Sequence, residues 1–336
     1  MKKTNSKAMD LLLRTIKSLV IPFGMWIVFA ILSRGSTATM RMFITTLRQT
    51  VMPSLVCYGL MLNMSVGMMN FSAGGMMLFA GIVGGNIAKA SGMGIAGLVI
   101  IVVLFCLTEG AITGVLYNVM RVPCIVLSIG MMLVWESFPK LFCPDGLNIS
   151  SDITILARSP YCFYVLIVFG IIFYVIYNKT AFGHNLRALG NNQAIANSVG
   201  LDSDKNKFLS FFIGALFLGI AAVLYISDRG EVRNVTAMSS MSIMIDGFMG
   251  MFIAMFLEQF CDMSIAVVLG TFAMKMLSNG FVAIGMSSTV RDIVQGFFLL
   301  VLLIISANAG LFERRKSNKK FVELCNEEYK AIKAGR

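Results

Sequence analysis

Residues 95–119 read IAGLVIIVVLFCLTEGAITGVLYNV, a run long enough to cross a bilayer that contains one charged side chain, Glu109. A helix that apolar on every side has no solvent face, so it must lie in lipid or in the core of a large protein. Working outward, further apolar runs fall at 50–69, 72–90 and 18–34 toward the N-terminus, and at 124–142, 160–178, 208–226, 242–260, 263–282 and 291–309 toward the C-terminus. Several are short or interrupted by glycine. Hydrophobic residues make up 57% of the 336 positions and charged residues only 13%, against roughly a quarter charged in soluble domains. A soluble chain could not bury that much apolar surface, whereas lipid accepts it. The expected fold class is therefore all-α: a polytopic membrane protein with about ten transmembrane helices, some of them short or broken.

The net charge of +11 would suggest nucleic acid in a soluble protein, but here the basic residues gather at the chain ends. Lys2, Lys3, Lys7, Arg14 and Lys17 precede the first apolar run, and Arg314, Arg315, Lys316, Lys319, Lys320, Lys330, Lys333 and Arg336 follow the last. An even number of spans places both termini on one side, and 18 of the 28 Lys and Arg then lie on that side against nine on the other, with Lys275 inside a span. The positive-inside bias makes that side the cytoplasm. The expected organisation is a cytoplasmic tail at 1–17, a transmembrane domain at 18–311 and a basic cytoplasmic tail at 312–336. No small-residue cleavage site follows Ile31, so the first span is read as uncleaved. The seven cysteines form no CxxC pair and the single His184 has no neighbouring ligands, so no metal or other cofactor is expected.

Two places depart from plain spanning helix. Gly67-Met68-Met69-Asn70-Phe71-Ser72-Ala73-Gly74-Gly75 sets glycines and two polar side chains at a junction between apolar runs. That pattern suits a helix broken at membrane depth, which would line a substrate path, and equally a tight turn whose small residues permit close packing. The other is 179–207, the longest polar stretch between spans, with Gly183, Gly190 and Gly200 and a short helical pattern over 193–199. It faces the cytoplasm in this topology, as a docking point for a partner or as a simple connector.

These residues carry a resemblance. The stretches FITTLRQTVMPSLVCYGLMLNMSVGMMNFSAGGMMLFAGIVGG from Phe43, GAITGVLYNVMRVPCIVLSIGMM (Gly110 to Met132), TAFGHNLRALGNNQAIANSVGLDSDKNK (Thr180 to Lys207) and LSNGFVAIGMSSTVRDIVQGFFLLVLLI (Leu277 to Ile304) resemble the permease subunits of ribose-type ABC importers, which serve monosaccharides and related polar solutes. The pattern Phe182, Gly183, Ala188, Leu189, Gly190, Asn192, Ala196, Gly200 and Leu201 is its most specific part. The chain also departs from the family. The signature aspartate is Asn70, the second signature glycine is Met68, and the glycine-rich turn expected near 253–261 reads Ile-Ala-Met-Phe-Leu-Glu-Gln-Phe-Cys.

The resemblance implies a permease subunit without ATPase activity of its own, which agrees with the lack of a phosphate-binding Gly-x-x-x-x-Gly-Lys-Ser/Thr loop. Its implied partners are ABC ATPase subunits, an extracytoplasmic solute-binding protein and a second permease subunit, non-identical because the glycine turn is lost. The implied location is a bacterial inner membrane, and no nucleic acid is involved. The substrate pathway is expected to include Gly67, Asn70, Ser72, Gly74, Glu109 and Asn279, and ATPase coupling to use Gly183, Gly190, Asn192, Ala196 and Gly200.

Within the spans, Glu109, Glu136, Asp246 and Lys275 are costly, by about 2.5–3.5 kcal/mol each for a central Asp or Lys. Each is read as lining a path or pairing with another; Glu136 and Asp246 also suit interfacial positions at span ends. Alternative functions are a nucleoside-type ABC permease, an ion-coupled secondary transporter built on Glu109, and a non-transporting scaffold.

Overall fold

The computed structural model describes residues 39–149 and 151–287 (side chains of 151–153 apart), together with 23–31 except 25, and 289–291, 293–298, 300, 301 and 304. The tails at 1–17 and 312–336, and parts of the expected spans at 18–34 and 291–309, lie outside the described residues. The first unit runs to Met286. Its helices are α1 (Met40–Met64), α2 (Ala73–Phe79), α3 (Gly85–Ser91), α4 (Gly94–Met120), α5 (Cys124–Phe142), α6 (Tyr161–Lys179), α7 (Ala181–Asn191), α8 (Gln193–Ser198), α9 (Ser203–Arg229), α10 (Met241–Leu257) and α11 (Met263–Ala283). A π-helical turn, Ala80–Gly84, joins α2 to α3. The strands are two residues each, β1 (Leu147–Asn148) and β2 (Glu231–Val232), paired antiparallel with Leu147 opposite Val232. The second unit, from Ser287, is helical over its described residues from 289 to 301.

The fold is an all-α membrane protein. Among the described residues five helices (α4, α5, α6, α9 and α11) are long and apolar enough to cross a membrane, and α10 is apolar but shorter. The expected runs 95–119, 124–142, 160–178 and 263–282 meet helices within a residue or so of those bounds. The run at 50–69 differs: the helix starts earlier, at Met40, and stops at Met64. In α1 the apolar stretch marks the length buried in the bundle, whereas the helix continues past it. Thr45 and Thr46 return their hydroxyls to the carbonyls of Arg41 and Met42, and each turn satisfies its own backbone.

Helix α9 is the centre of the bundle. Gly214, Ala215, Leu218, Ala221 and Ala222 are buried along it, and small residues let neighbouring backbones approach where lipid supplies no hydrophobic drive for helix association. A Cβ on Gly214 would stand 2.9 Å from the Gly59 carbonyl oxygen of α1, and one on Gly59 would stand 2.8 Å from that of Gly214. On another face, Gly219 meets Val103 of α4 and Gly110 of α4 meets the Phe211 carbonyl oxygen at 2.9 Å. Around this contact Tyr58, Phe173 and Phe217 pack their rings, with Tyr58 donating its hydroxyl to the Ser264 carbonyl at 2.8 Å.

Packing this tight makes a prediction. Gly214→Val should destabilise the bundle by about 1–3 kcal/mol through overpacking, read as a lower thermal midpoint in detergent. Gly130→Ala, where a Cβ meets nothing within 4 Å, should be neutral or slightly stabilising. Equal shifts in both variants would refute the crossing.

Candidate functional site

The break is real. Helix α1 ends at Met64, Gly67 turns the chain at φ 77°, and the Met68 amide donates back to the Asn63 carbonyl at 3.1 Å. The chain then runs without helix until α2 starts at Ala73. Backbone in such a stretch must find partners inside the protein. Asn70 supplies one: its Oδ1 accepts the Ser72 amide at 3.0 Å and the Ser72 hydroxyl at 2.6 Å. The Met69 carbonyl accepts the Ser128 hydroxyl and the Cys124 thiol from α5, both at 3.3 Å. Phe71 stacks on Phe248 of α10 at 5.1 Å.

The helix is broken here, and small residues of the stretch also serve close packing. Gly67 takes the left-handed conformation that glycine adopts without strain. Gly74 and Gly75 serve packing instead: a Cβ on Gly74 would overlap the Ser240 carbonyl, and one on Gly75 would stand 2.7 Å from the Met132 carbonyl oxygen. Asn70 and Ser72 are buried and bonded to each other, so in this conformation they face protein.

Of the other pathway candidates, Asn279 sits elsewhere. Asn279 donates to Thr46 Oγ1 at 3.0 Å and to Gln49 Oε1 at 2.8 Å. Thr46 lies 18 residues before Met64, so this contact is roughly 27 Å along α1 from its broken end. Glu109 is wholly buried in α4, and neither carboxyl oxygen has a hydrogen-bond partner among the described residues. Lys275 and Asp246 form an ion pair between α11 and α10, the mutual pairing that makes two intramembrane charges tolerable. Glu136 is buried, and it accepts the Ser240 hydroxyl and, at 3.3 Å, the Ser240 amide at the start of α10. Ser240 went unseen in the sequence because nothing local marks a partner 104 residues away.

The segment 179–207 folds as two short helices with side-chain caps. Thr180 Oγ1 accepts the Gly183 amide and Asn192 Oδ1 accepts the Ile195 amide, closing the exposed N-termini of α7 and α8. Gly200 has φ 91°, a conformation glycine adopts without strain. Gly190 differs, since it is helical. Its constraint is space, because a Cβ there would overlap the Ser65 carbonyl at the end of α1. Gly183 lies equally close to the carbonyls of Ile176 and Tyr177. Arg187 ties the two elements together: its Nε donates to the Gly183 carbonyl and its Nη2 to the Tyr177 carbonyl, each at 3.3 Å, with the guanidinium over the Tyr177 ring. Tyr177 in turn meets Ser65 Oγ at 3.4 Å. Ala196 is buried while Ile195 and Val199 stay exposed, leaving an apolar edge on α8.

In the altered stretch, Ile253 to Leu257 complete α10 and only 258–262 turn toward α11. Burial pushes the Glu258 carboxyl above its usual range, and the Arg187 guanidinium draws it part of the way back. The turn thus lies on the side of the bundle that carries α7.

The whole arrangement, from α1 through the break and the loop to α11, falls within a match at residues 42–305 to the family described as branched-chain amino acid transport system, permease component. The chain belongs to that family. Its members are transport subunits, and it is a multi-pass membrane protein. Similar proteins include the autoinducer 2 import system permease protein LsrC of Photorhabdus luminescens, 22% identical over 246 residues, 70% of this chain and 72% of the relative. The LsrC proteins of Yersinia pestis strain Pestoides F (21% over 231 residues, 65% and 64%) and Klebsiella pneumoniae (27% over 192 residues, 52% and 56%) are similar over less of their length. No solved structure matches the chain.

The break yields a prediction. Asn70→Leu removes the acceptor for two buried donors and should cost about 1–3 kcal/mol, whereas Asn70→Asp keeps the acceptor and should be milder. Thermal melts of both variants in detergent check this; equal loss would mean that the Asn70–Ser72 bonds do not hold the break.

Proposed function

We propose that this chain is one permease half of an ABC importer that moves a sugar or similar small hydroxylated solute inward across a bacterial inner membrane, with both chain termini in the cytoplasm. The observation that carries the reading is the seat of Gly190 on the Ser65 carbonyl. It joins the 179–207 loop to the end of α1, and the break begins at the next residues. A push on the loop is therefore delivered to the only non-helical segment between α1 and α2. ATPase subunits dock on the exposed edge of α8, and their opening and closing rocks α7 against α1. Gly67, Asn70, Ser72 and Gly74 then rearrange to line the path, where a neutral amide and hydroxyl offer both donors and acceptors to a solute's hydroxyls. The similar LsrC proteins belong, by name, to an import system, which supports the inward direction, and a separate binding protein delivers the solute from outside.

The second permease subunit is a different chain. Bulky Met255, Phe256, Leu257 and Phe260 and acidic Glu258 stand within the stretch where the resemblance calls for a glycine-rich turn, and Glu258 lies near Arg187 of the docking loop. In a two-fold pair each such feature occurs twice, at equivalent places. One glycine-rich partner would leave room that a second bulky copy removes.

Two experiments test these readings. Gly190→Val should insert and fold yet lose solute uptake by about tenfold or more, because a 1 Å displacement in a coupled element is enough to cost that much. Normal uptake in cells with normal membrane levels of the variant would sink the coupling role. Separately, two differently tagged copies of this chain, expressed with its ATPase, should not co-purify in an active complex; recovery of the second tag would establish a homodimer.

A further inference from the structure

At the end of the bundle away from the 179–207 loop, α9 finishes at Arg229, α6 begins at Tyr161, and a 3₁₀ turn (Ser151–Ala157) crosses between them. Here a pocket of about 200 Å³ opens among Arg48, Thr154, Arg158, Ser227, Asp228 and Arg229. Three arginines and one aspartate line it. Arg48 stands 3.7 Å from Asp228, Arg229 lies over the Tyr225 ring, and Arg158 has no acidic partner among the described residues. The negative end of α9 adds roughly half a charge of the opposing sign, so the pocket remains positive by more than one charge. Its wall also holds an unsatisfied donor. Ser227 is buried, and its hydroxyl has no hydrogen-bond partner among the described residues.

Arginines gathered around a small pocket, with a buried serine in its wall, suit a tetrahedral oxyanion, whose oxygens take several charge-assisted bonds at once. The neighbourhood indicates what carries that oxyanion. Tyr161, Tyr164, Ile167, Val168 and Ile171, on the helix that starts three residues after Arg158, are all more than half exposed. Tyrosines at a helix end followed by an apolar face are the pattern of a helix entering lipid from the headgroup layer.

We propose that this pocket binds a phosphoryl group, supplied by an anionic phospholipid whose headgroup sits among Arg48, Arg158 and Arg229 while its acyl chains lie along α6. Asp228 opposes the ligand and sets its affinity. The site is separate from the break and from the loop, and it stands whether or not the transport reading does.

The test uses the full chain purified in detergent, with native mass spectrometry against phosphatidylglycerol and phosphatidylcholine, and thermal melts in inorganic phosphate against chloride at matched ionic strength. Phosphatidylglycerol should be retained in preference to phosphatidylcholine. The double variant Arg158→Gln, Arg229→Gln should weaken that retention by about tenfold, the loss of roughly one charged hydrogen bond. Asp228→Asn should strengthen it by a few-fold through relief of repulsion, a gain that misfolding cannot mimic. If phosphate raises the melting point of the wild type but not of the double variant, and the two lipids bind alike, the phosphoryl site stands and its source is free phosphate. The proposal is overturned if neither phosphatidylglycerol nor phosphate is favoured over its control, or if Asp228→Asn leaves binding unchanged or weaker.

Discussion

A backbone amide or carbonyl in the hydrocarbon layer has no water to turn to, and each one left unpaired costs several kcal/mol. This constraint governs the architecture. It makes the chain helical almost throughout, and it limits non-helical backbone to places where protein can supply the missing bonds. The break after α1 meets the condition from three sides: its own Asn63 carbonyl takes the Met68 amide, Asn70 takes the Ser72 amide, and α5 offers Ser128 and Cys124 to Met69. The start of α10 meets it through Glu136, which receives Ser240.

Because lipid is as apolar as the side chains, helices here associate by close fit and by occasional polar contacts. Glycines mark the closest approaches, between α1 and α9 at Gly59 and Gly214 and between α7 and α1 at Gly190 and Ser65. The first approach lies in the centre of the bundle, surrounded by buried rings. The second lies at its edge, where α7 and α8 keep one exposed face. A contact that is tight on one side and open on the other is suited to transmit displacement from the open side, and the proposed coupling of loop to break draws on that geometry. The charged residues divide in the same way. Asp246 and Lys275 neutralise each other inside the bundle, while Arg48, Arg158 and Arg229 gather at its rim beside a single acid.

The amino-acid sequence by itself determined the membrane class, the positions of α4, α5, α6 and α11, an interruption around 67–75 and a polar loop at 179–207 with a short helix near 193–199. Each of these is written in local composition, through apolar length, glycine placement or polar run, and local composition is sufficient because lipid imposes the same rule on every segment. Gly67 and Gly200 take positive φ, a conformation set by a few neighbouring residues. Only the tertiary structure decided why Gly74, Gly75 and Gly190 are glycines: the carbonyls they face belong to Ser240, Met132 and Ser65, on other elements. The same holds for the partners of Glu136 and Asp246, for the separation of Asn279 from the break, and for the arginine pocket, whose members are 110 and 71 residues apart along the chain (48 to 158, and 158 to 229). Spacing along a sequence says which helix face a residue occupies, but which other helix that face meets depends on how the whole bundle packs.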